Sequence, residues 1–333
     1  MYSLHLILPL PVPLDALLDG SGKSAPSLIA MTRRGYQSDL APSLSSLCCQ
    51  AFAIDKQWDW PVAPLTAKAD GLDAGEGYWL RIDPVHLEVG MGGLMLQPPQ
   101  RLALAREEAE ALTASINAHW RDEGLEIHAA SQTRWHLRLP EAPDLSTTPL
   151  DRVEGEYLTP YLPTGGDANR LMRLVNVAQM LMHEHPVNQA RERDGRLIAN
   201  GLWLWGGGTL PLPAVRNIGV ASDHAEVRAL AEAVSLRPDA ESASWRNLAS
   251  TMKPPRVLAT LSPGPDDHAL EDFLARLERD WFKPLLRDLA LARVRRIRVD
   301  LLARPGRSFS LDTSQAWRFW RRSAREDQRG TTA

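Results

Sequence analysis

Residues 167–208, DANRLMRLVNVAQMLMHEHPVNQARERDGRLIANGLWLWGGG, constrain the fold of this chain more than any other stretch. Leu171, Leu174, Val175, Ala178, Leu181 and Met182 recur on one face at helical spacing, and Asp167 stands where an N-cap is expected. Pro186 ends that helix, because its ring nitrogen cannot donate to the ladder and its ring disfavours helical backbone at the residue before it. His185, Asn188, Arg191 and Arg193 then fall in a polar connection that closes at Gly195. An apolar run follows, Gly201-Leu202-Trp203-Leu204-Trp205, which reads as a buried strand leaving through Gly206, Gly207 and Gly208. Glycines at a strand exit let backbone N–H groups approach a ligand closely, and strand ends are where α/β proteins bind ligands. His183 and His185, two apart, point to different sides of a helix and do not suit a shared metal. Trp203 and Trp205 alternate with leucines as core residues do.

Upstream, residues 3–10 make a short apolar strand that runs into prolines. Residues 14–18 and 27–34 suit short helices, and 40–52 an apolar helix that holds Cys48 and Cys49 as core thiols. Gly22-Lys23-Ser24 has the ending of a phosphate-binding loop, but Leu17 occupies the place of the required first glycine. Residues 55–77, rich in Asp, Pro and Gly, read as a connection. Between Tyr78 and Leu139 the pattern is β-β-α-β-β, with an amphipathic helix over 101–121 and Pro140, Pro143 and Pro149 marking the exit. This predicts a separate α+β unit.

Downstream, a helix is expected over 223–235, a strand over 256–261, and a long helix over 268–291 that Pro284 kinks or splits. Strands at 294–302 and 307–311 close the chain. Residues 293–322 carry nine arginines against two acids. A solvated basic edge, with Trp317, Phe319 and Trp320 docked on the body, is favoured over an RNA or membrane contact. The residues after 322 are expected to be disordered.

Composition sets broad limits. The 333 residues, 44% hydrophobic and 24% charged, suit a soluble globular chain of one large or two ordinary domains. A net charge of -3 gives no reason to expect nucleic acid. Adjacent cysteines are poor disulfide partners, which fits a reducing cytosol. No segment reads as a signal peptide or membrane span.

Taken together, His185-Pro186-Val187-Asn188-x-x-Arg191-x-x-x-Gly195, Ala199-Asn200 and Trp203-x-Trp205-Gly206-x-Gly208 resemble the archaeal-type, cofactor-independent (2,3-bisphosphoglycerate-independent) phosphoglycerate mutases of the alkaline-phosphatase superfamily. Trp79-Leu80-Arg81 resembles that family's Phe-Arg strand. Arg106-Glu107-Glu108-Ala109, followed by Arg134-Trp135-His136, resembles its cap. The runs WLRIDPVHL, HPVN and WLWGGG resemble those of a bacterial offshoot, the RpfE-type regulatory proteins.

The resemblance implies a doubly wound, mostly parallel α/β core (alkaline-phosphatase-like) over 1–74 and 165–322, and a small α+β cap inserted at 75–164. Residues 323–333 form the tail. It also implies a phospho-acid pocket. Arg191, Arg134 and Arg81 would contact carboxylate or phosphate, His185, Asn188 and Asn200 would orient them, and Gly206, Gly207 and Gly208 would offer backbone amides.

Active members hold two metal ions. Their first strand ends in Asp-Gly, and their nucleophilic serine lies in Pro-Gly-Ser-Asp. Here the strand ends Leu8-Pro9-Leu10, and the comparable serines Ser43, Ser45 and Ser46 have no adjoining Asp. Only Asp266, Asp267 and His268 stand as remnants of the metal ligands. The expected function is therefore a regulatory or ligand-binding pseudoenzyme with no cofactor, whose partner is an anionic small molecule such as a phosphorylated glycolytic acid. One alternative is an active mutase or phosphatase using Mn or Zn in a rearranged site. Another is a protein-interaction module.

Overall fold

A computed structural model of the chain describes residues 2–10, 24–40, 43–212, 217–239, 244–251, 255–263, 270–303 and 306–316. The helix suggested at 14–18, the remnant Asp266-Asp267-His268, the aromatic residues at 317–320 and the tail 323–333 lie outside the described residues. The chain divides into two units, one of residues 1–44 and 215–333 and one of residues 45–214. In chain order the strands are β1 (Tyr2–Leu8), β2 (Tyr36–Leu40), β3 (Tyr78–Val85), β4 (Leu87–Gly90), β5 (Gly93–Leu96), β6 (Glu126–Ala129), β7 (Trp135–Leu139), β8 (Gly201–Gly208), β9 (Ile218–Ala221), β10 (Pro238–Asp239), β11 (Arg256–Thr260), β12 (Val294–Leu301) and β13 (Gly306–Asp312).

The first unit is built on a seven-stranded sheet of order β10-β9-β11-β1-β12-β13-β2. Five neighbouring strands are parallel, and β13 and β2 add antiparallel partners at one edge. The expected mostly parallel α/β sheet is thus present. Leu4, Leu6 and Leu8 alternate along β1 to one face. That face carries the main core with Val257, Ala259, Ile297, Val299, Phe309 and Leu311, and helices Pro26–Arg34, Trp245–Thr251 and Leu270–Leu277 pack into it. The long C-terminal helix is split as Pro284 predicts. Leu270–Leu277 and Lys283–Ala290 are α-helical, and Glu278–Phe282 between them is a π-turn. Pro284 cannot donate to the carbonyl four residues earlier, so the ladder widens there. Glu278 reaches from this turn to the start of helix Pro26–Arg34, accepting from Ser27 N at 2.9 Å and Ser27 Oγ at 2.5 Å.

The second unit holds a four-stranded sheet of order β6-β7-β3-β8 and the β4–β5 hairpin. Here the structure corrects the sequence reading. Residues 78–139 do not fold apart from the central stretch, because β3 pairs antiparallel with β8, Arg81 opposite Trp205 and Asp83 opposite Trp203. Residues 45–74 and 165–214 belong with this sheet, so the expected cap boundaries of 75 and 164 do not hold.

Pro84 does not end β3. It stays in the strand opposite Leu202. Two helices also stand where connections were expected, Val62–Ala69 and Pro186–Arg193. Proline at the first position of a helix costs no hydrogen bond, so Pro186 ends one helix and starts the next. Cys48 and Cys49 are buried and are not joined in a disulfide. Among the described residues no helix is long and apolar enough to cross a membrane.

Candidate functional site

The two faces of the four-stranded sheet differ in chemistry. Leu80, Ile82, Ile127, Leu137, Leu139, Leu202 and Leu204 share one core with Leu112, Ile116, Leu171, Val175 and Met182 of helices Arg106–Trp120 and Ala168–Glu184. The residues that alternate with them are polar or aromatic. Register places Trp205, Arg81, His136 and His128 in one row across β8, β3, β7 and β6. Small residues of helix Val62–Ala69, Ala63 and Ala67, pack with Trp79 and Ala74.

Two buried ion pairs organise this polar layer. Arg81 donates from Nε to Asp83 Oδ1 at 3.0 Å and from Nη2 to Asp83 Oδ2 at 2.8 Å, and its guanidinium lies 4.8 Å from the Trp205 ring centre. Residues two apart on a strand share a face, which is what lets this fork close. Asp83 also accepts from Trp205 Nε1 at 2.7 Å and from Trp135 N at 3.1 Å. Asp70, just past helix Val62–Ala69, takes the second cation. Arg134 Nε donates to Asp70 Oδ2 at 2.7 Å, Arg134 Nη2 donates to Oδ1, and His136 Nε2 stands 2.9 Å from Oδ2.

Burial raises the Asp70 carboxyl, but the hydrogen bonds from His136 and Arg134 outweigh it and hold the group below the usual carboxylate range. Burial pushes His136 down to about 4 against the pull of Asp70. The imidazole is therefore neutral at pH 7, with its proton on Nε2 facing the carboxylate. Its Nδ1 is buried without a hydrogen-bond partner.

A third carboxylate, Asp59, lies 7% exposed. It accepts from Thr147 N at 3.1 and 3.2 Å and from Thr147 Oγ1. Burial lifts its pKa above the ordinary value despite these donors, and burial together with Asp59 pushes Tyr78 up to about 12.

The residues suggested as ligand contacts have other work. Arg191 is 1% exposed. It donates from Nε to Leu197 O at 2.7 Å, from Nη1 to Glu108 Oε2 at 2.5 Å, and from Nη2 to Leu102 O. Asn188 donates to Met182 O at 2.7 Å and Ala199 O at 2.8 Å, and accepts from Ala199 N at 3.1 Å. Asn200 exchanges two bonds with the Leu87 backbone, at 2.6 and 2.9 Å. His185 caps helix Pro186–Arg193, its Nδ1 accepting from Val187 N at 3.2 Å. The contacts of His185, Asn188 and Arg191 tie helix Pro186–Arg193 to its neighbours, and those of Asn200 tie the residue before β8 to the start of β4. In the structure they brace the protein itself, where the sequence reading expected a polar ligand-binding connection.

The three glycines also lie against protein. All of β8 is buried. A side chain at Gly206 would press on Val62, at Gly207 on Tyr78 and Leu80, and at Gly208 on Pro61 and Gln57. They admit neighbouring protein atoms. Arg81 and Arg134 do converge with His136, but each faces a carboxylate. Asp83, Asp70 and Asp59 were missed. Asp83 was legible as the second member of Arg-x-Asp on a strand, whereas Asp70 lies 66 residues from His136 and carries no local signal.

In the first unit, Asp300 of β12 is fully buried and accepts from Arg298 Nε at 2.9 Å and Ser308 Oγ at 2.5 Å, with His5 Nε2 at 2.7 Å. Burial raises this carboxyl, but the three neighbours outweigh it and hold it low. At the end of β1, Leu8 and Leu10 are 0% and 4% exposed, and Leu8 O accepts from Leu302 N at 2.9 Å.

No family model matches the chain. A probable 2,3-bisphosphoglycerate-independent phosphoglycerate mutase of Geobacter sulfurreducens is 26% identical over 152 residues, 45% of this chain and 38% of that protein. The corresponding mutase of Methanosarcina mazei is 27% identical over 153 residues, 45% of this chain and 37% of that protein. The chain thus matches less than two-fifths of the length of these relatives. Among solved structures, the cofactor-independent phosphoglycerate mutase of Thermoplasma acidophilum aligns at 19% identity and a TM-score of 0.44, covering 94% of this chain and 90% of that one. The PH0037 protein of Pyrococcus horikoshii aligns at 17% and 0.49, covering 93% and 87%. The sequence matches establish that this chain is homologous, at low identity and over under half its length, to the 2,3-bisphosphoglycerate-independent phosphoglycerate mutases.

Proposed function

We propose that the chain is a regulatory, ligand-binding relative of these mutases, of the RpfE type, that does not transfer phosphoryl groups. The observation that carries this reading is the end of β1. Resemblance implies a metal-binding Asp-Gly there, and the chain has Leu8 and Leu10, both buried among apolar neighbours. Ser43, Ser45 and Ser46, in the region comparable to the nucleophile segment, are each 3% exposed. Two cations need several oxygen or nitrogen ligands each, and the described residues of these segments do not fit that demand. The ligand in this reading is an anionic small molecule of the phospho-acid class, since the relatives are by name phosphoglycerate mutases. Cys48 and Cys49, adjacent in sequence and so poor disulfide partners, are in keeping with a reducing cytosol as the compartment of this reading.

The test is turnover and binding of 3-phosphoglycerate by the full-length chain with Mn or Zn added. Binding by calorimetry without turnover is the expected result. Metal-dependent turnover that disappears in Asp266→Ala or His268→Ala would overturn the non-catalytic reading, and absence of any binding would overturn the ligand class.

A further inference from the structure

Strand β9 and its parallel neighbour β11 end in a group of polar residues that the foregoing reading does not use. Val220 pairs with Leu258 and Ala221 with Ala259, so Ser222 and Thr260 continue the same register, on the face opposite Ala221 and Ala259. Ser262 lies two residues past Thr260. His224 lies two past Ser222, its main-chain N–H donating to Ser222 Oγ at 3.1 Å. Thr260 is 2% exposed. Thr260 Oγ1, Ser262 Oγ and His224 Nδ1 are all buried without a hydrogen-bond partner. Native structures rarely leave such groups unpaired, and three at the ends of two adjacent strands call for an occupant.

Topology marks the same place. The chain steps outward from β9 to β10 through helix Ala225–Ala233, then inward from β10 to β11 through helix Trp245–Thr251. Right-handed crossovers taken in opposite directions put their helices on opposite faces. Helix Trp245–Thr251 and the helix that follows β11 both pack on the Leu4–Leu8 face. The helices that follow β9 and β11 therefore lie on opposite faces, which makes the ends of these two strands a topological switch point, the place where α/β sheets hold ligands.

We propose that this switch point binds a neutral polyhydroxylated small molecule, of the monosaccharide class, through Thr260, Ser262 and His224. Two serine/threonine hydroxyls can each donate and accept, as sugar hydroxyls do. Burial lowers the His224 pKa, which favours an uncharged imidazole. The Asp223 and Glu226 carboxylates act on His224, which makes the site unfavourable to an anion. This ligand is distinct from the phospho-acid proposed above, and the two can fail separately.

The test follows the His224 imidazole signals of the full-length protein by NMR, assigned with His224→Gln, during titration with D-ribose, D-glucose or inorganic phosphate. Saturable shifts with a sugar and none with phosphate are expected. Thr260→Val should weaken sugar binding about five- to tenfold, the worth of one neutral hydrogen bond. It should not lower the melting temperature, because it removes a buried hydroxyl that has no partner. Should Thr260→Val not fold, Ser262→Ala carries the same expectation. Shifts with phosphate alone, with neither sugar, or unchanged sugar affinity in the variant would each overturn the proposal.

Discussion

His136 Nε2 lies 2.9 Å from Asp70 Oδ2, and the histidine side chain has no solvent exposure. A group buried in its neutral form resists protonation, while the same residue in the unfolded chain titrates near 6.5. The folded value of about 4 lies below that. The stabilisation is complete above pH 6.5 and is lost as pH falls from there toward 4, because the unfolded state then binds the proton first. The loss amounts to about 3 kcal/mol. Asp70, also held low, adds its own loss only below the ordinary carboxylate range. Urea unfolding at pH 7 and pH 5 should show the drop in the native protein and a smaller one in His136→Gln. Equal slopes in the two would refute this account.

Arg191→Ala should destabilise the second unit by about 2–4 kcal/mol, because the Leu102 and Leu197 carbonyls lose donors while Glu108 is left with Arg196 alone. Arg191→Lys should rescue little, since a point charge cannot reach three acceptors set for a planar fork. Denaturant midpoints decide the matter. A melting temperature unchanged in Arg191→Ala would mean that the residue is not the scaffold described.

Gly207→Ala should cost about 1–3 kcal/mol by overpacking, as its methyl would meet Tyr78 Oη and Leu80 Cδ2. Tyr78→Phe alone should be nearly neutral, because the buried hydroxyl has no partner. The double variant should recover part of the loss. A thermodynamic cycle with zero coupling would falsify the contact.

Much of the fold was legible because its elements carry their own period. The apolar alternation of β1, the amphipathic face of Arg106–Trp120 and the strand-then-helix order from Arg256 to Ala290 are all local patterns. Pro186 was readable as a stop, but the same ring is equally at home at a helix start, and no local rule decides between them. Helix Val62–Ala69 was hidden by Pro61 and Pro64, although proline is tolerated in a first turn. The pairing of β3 with β8 joins Asp83 to Trp205, 122 residues apart, through a buried indole–carboxylate bond. The candidate site was harder to read. Its arginines were visible as residues able to hold an anion, but the anions they hold are the chain's own Asp83, Asp70 and Glu108.

The joint at His185 sets a rule of phase. This residue closes helix Ala168–Glu184, its N–H donating to Met182 O at 3.2 Å, and opens helix Pro186–Arg193 with its ring. No slack lies between the two. Adding one residue at the joint would turn the second helix by about 100°. Arg191 would swing away from Glu108, and Asn188 from Ala199. Side chains on the outer surface of this pair of helices can change freely, but the number of residues across the joint cannot.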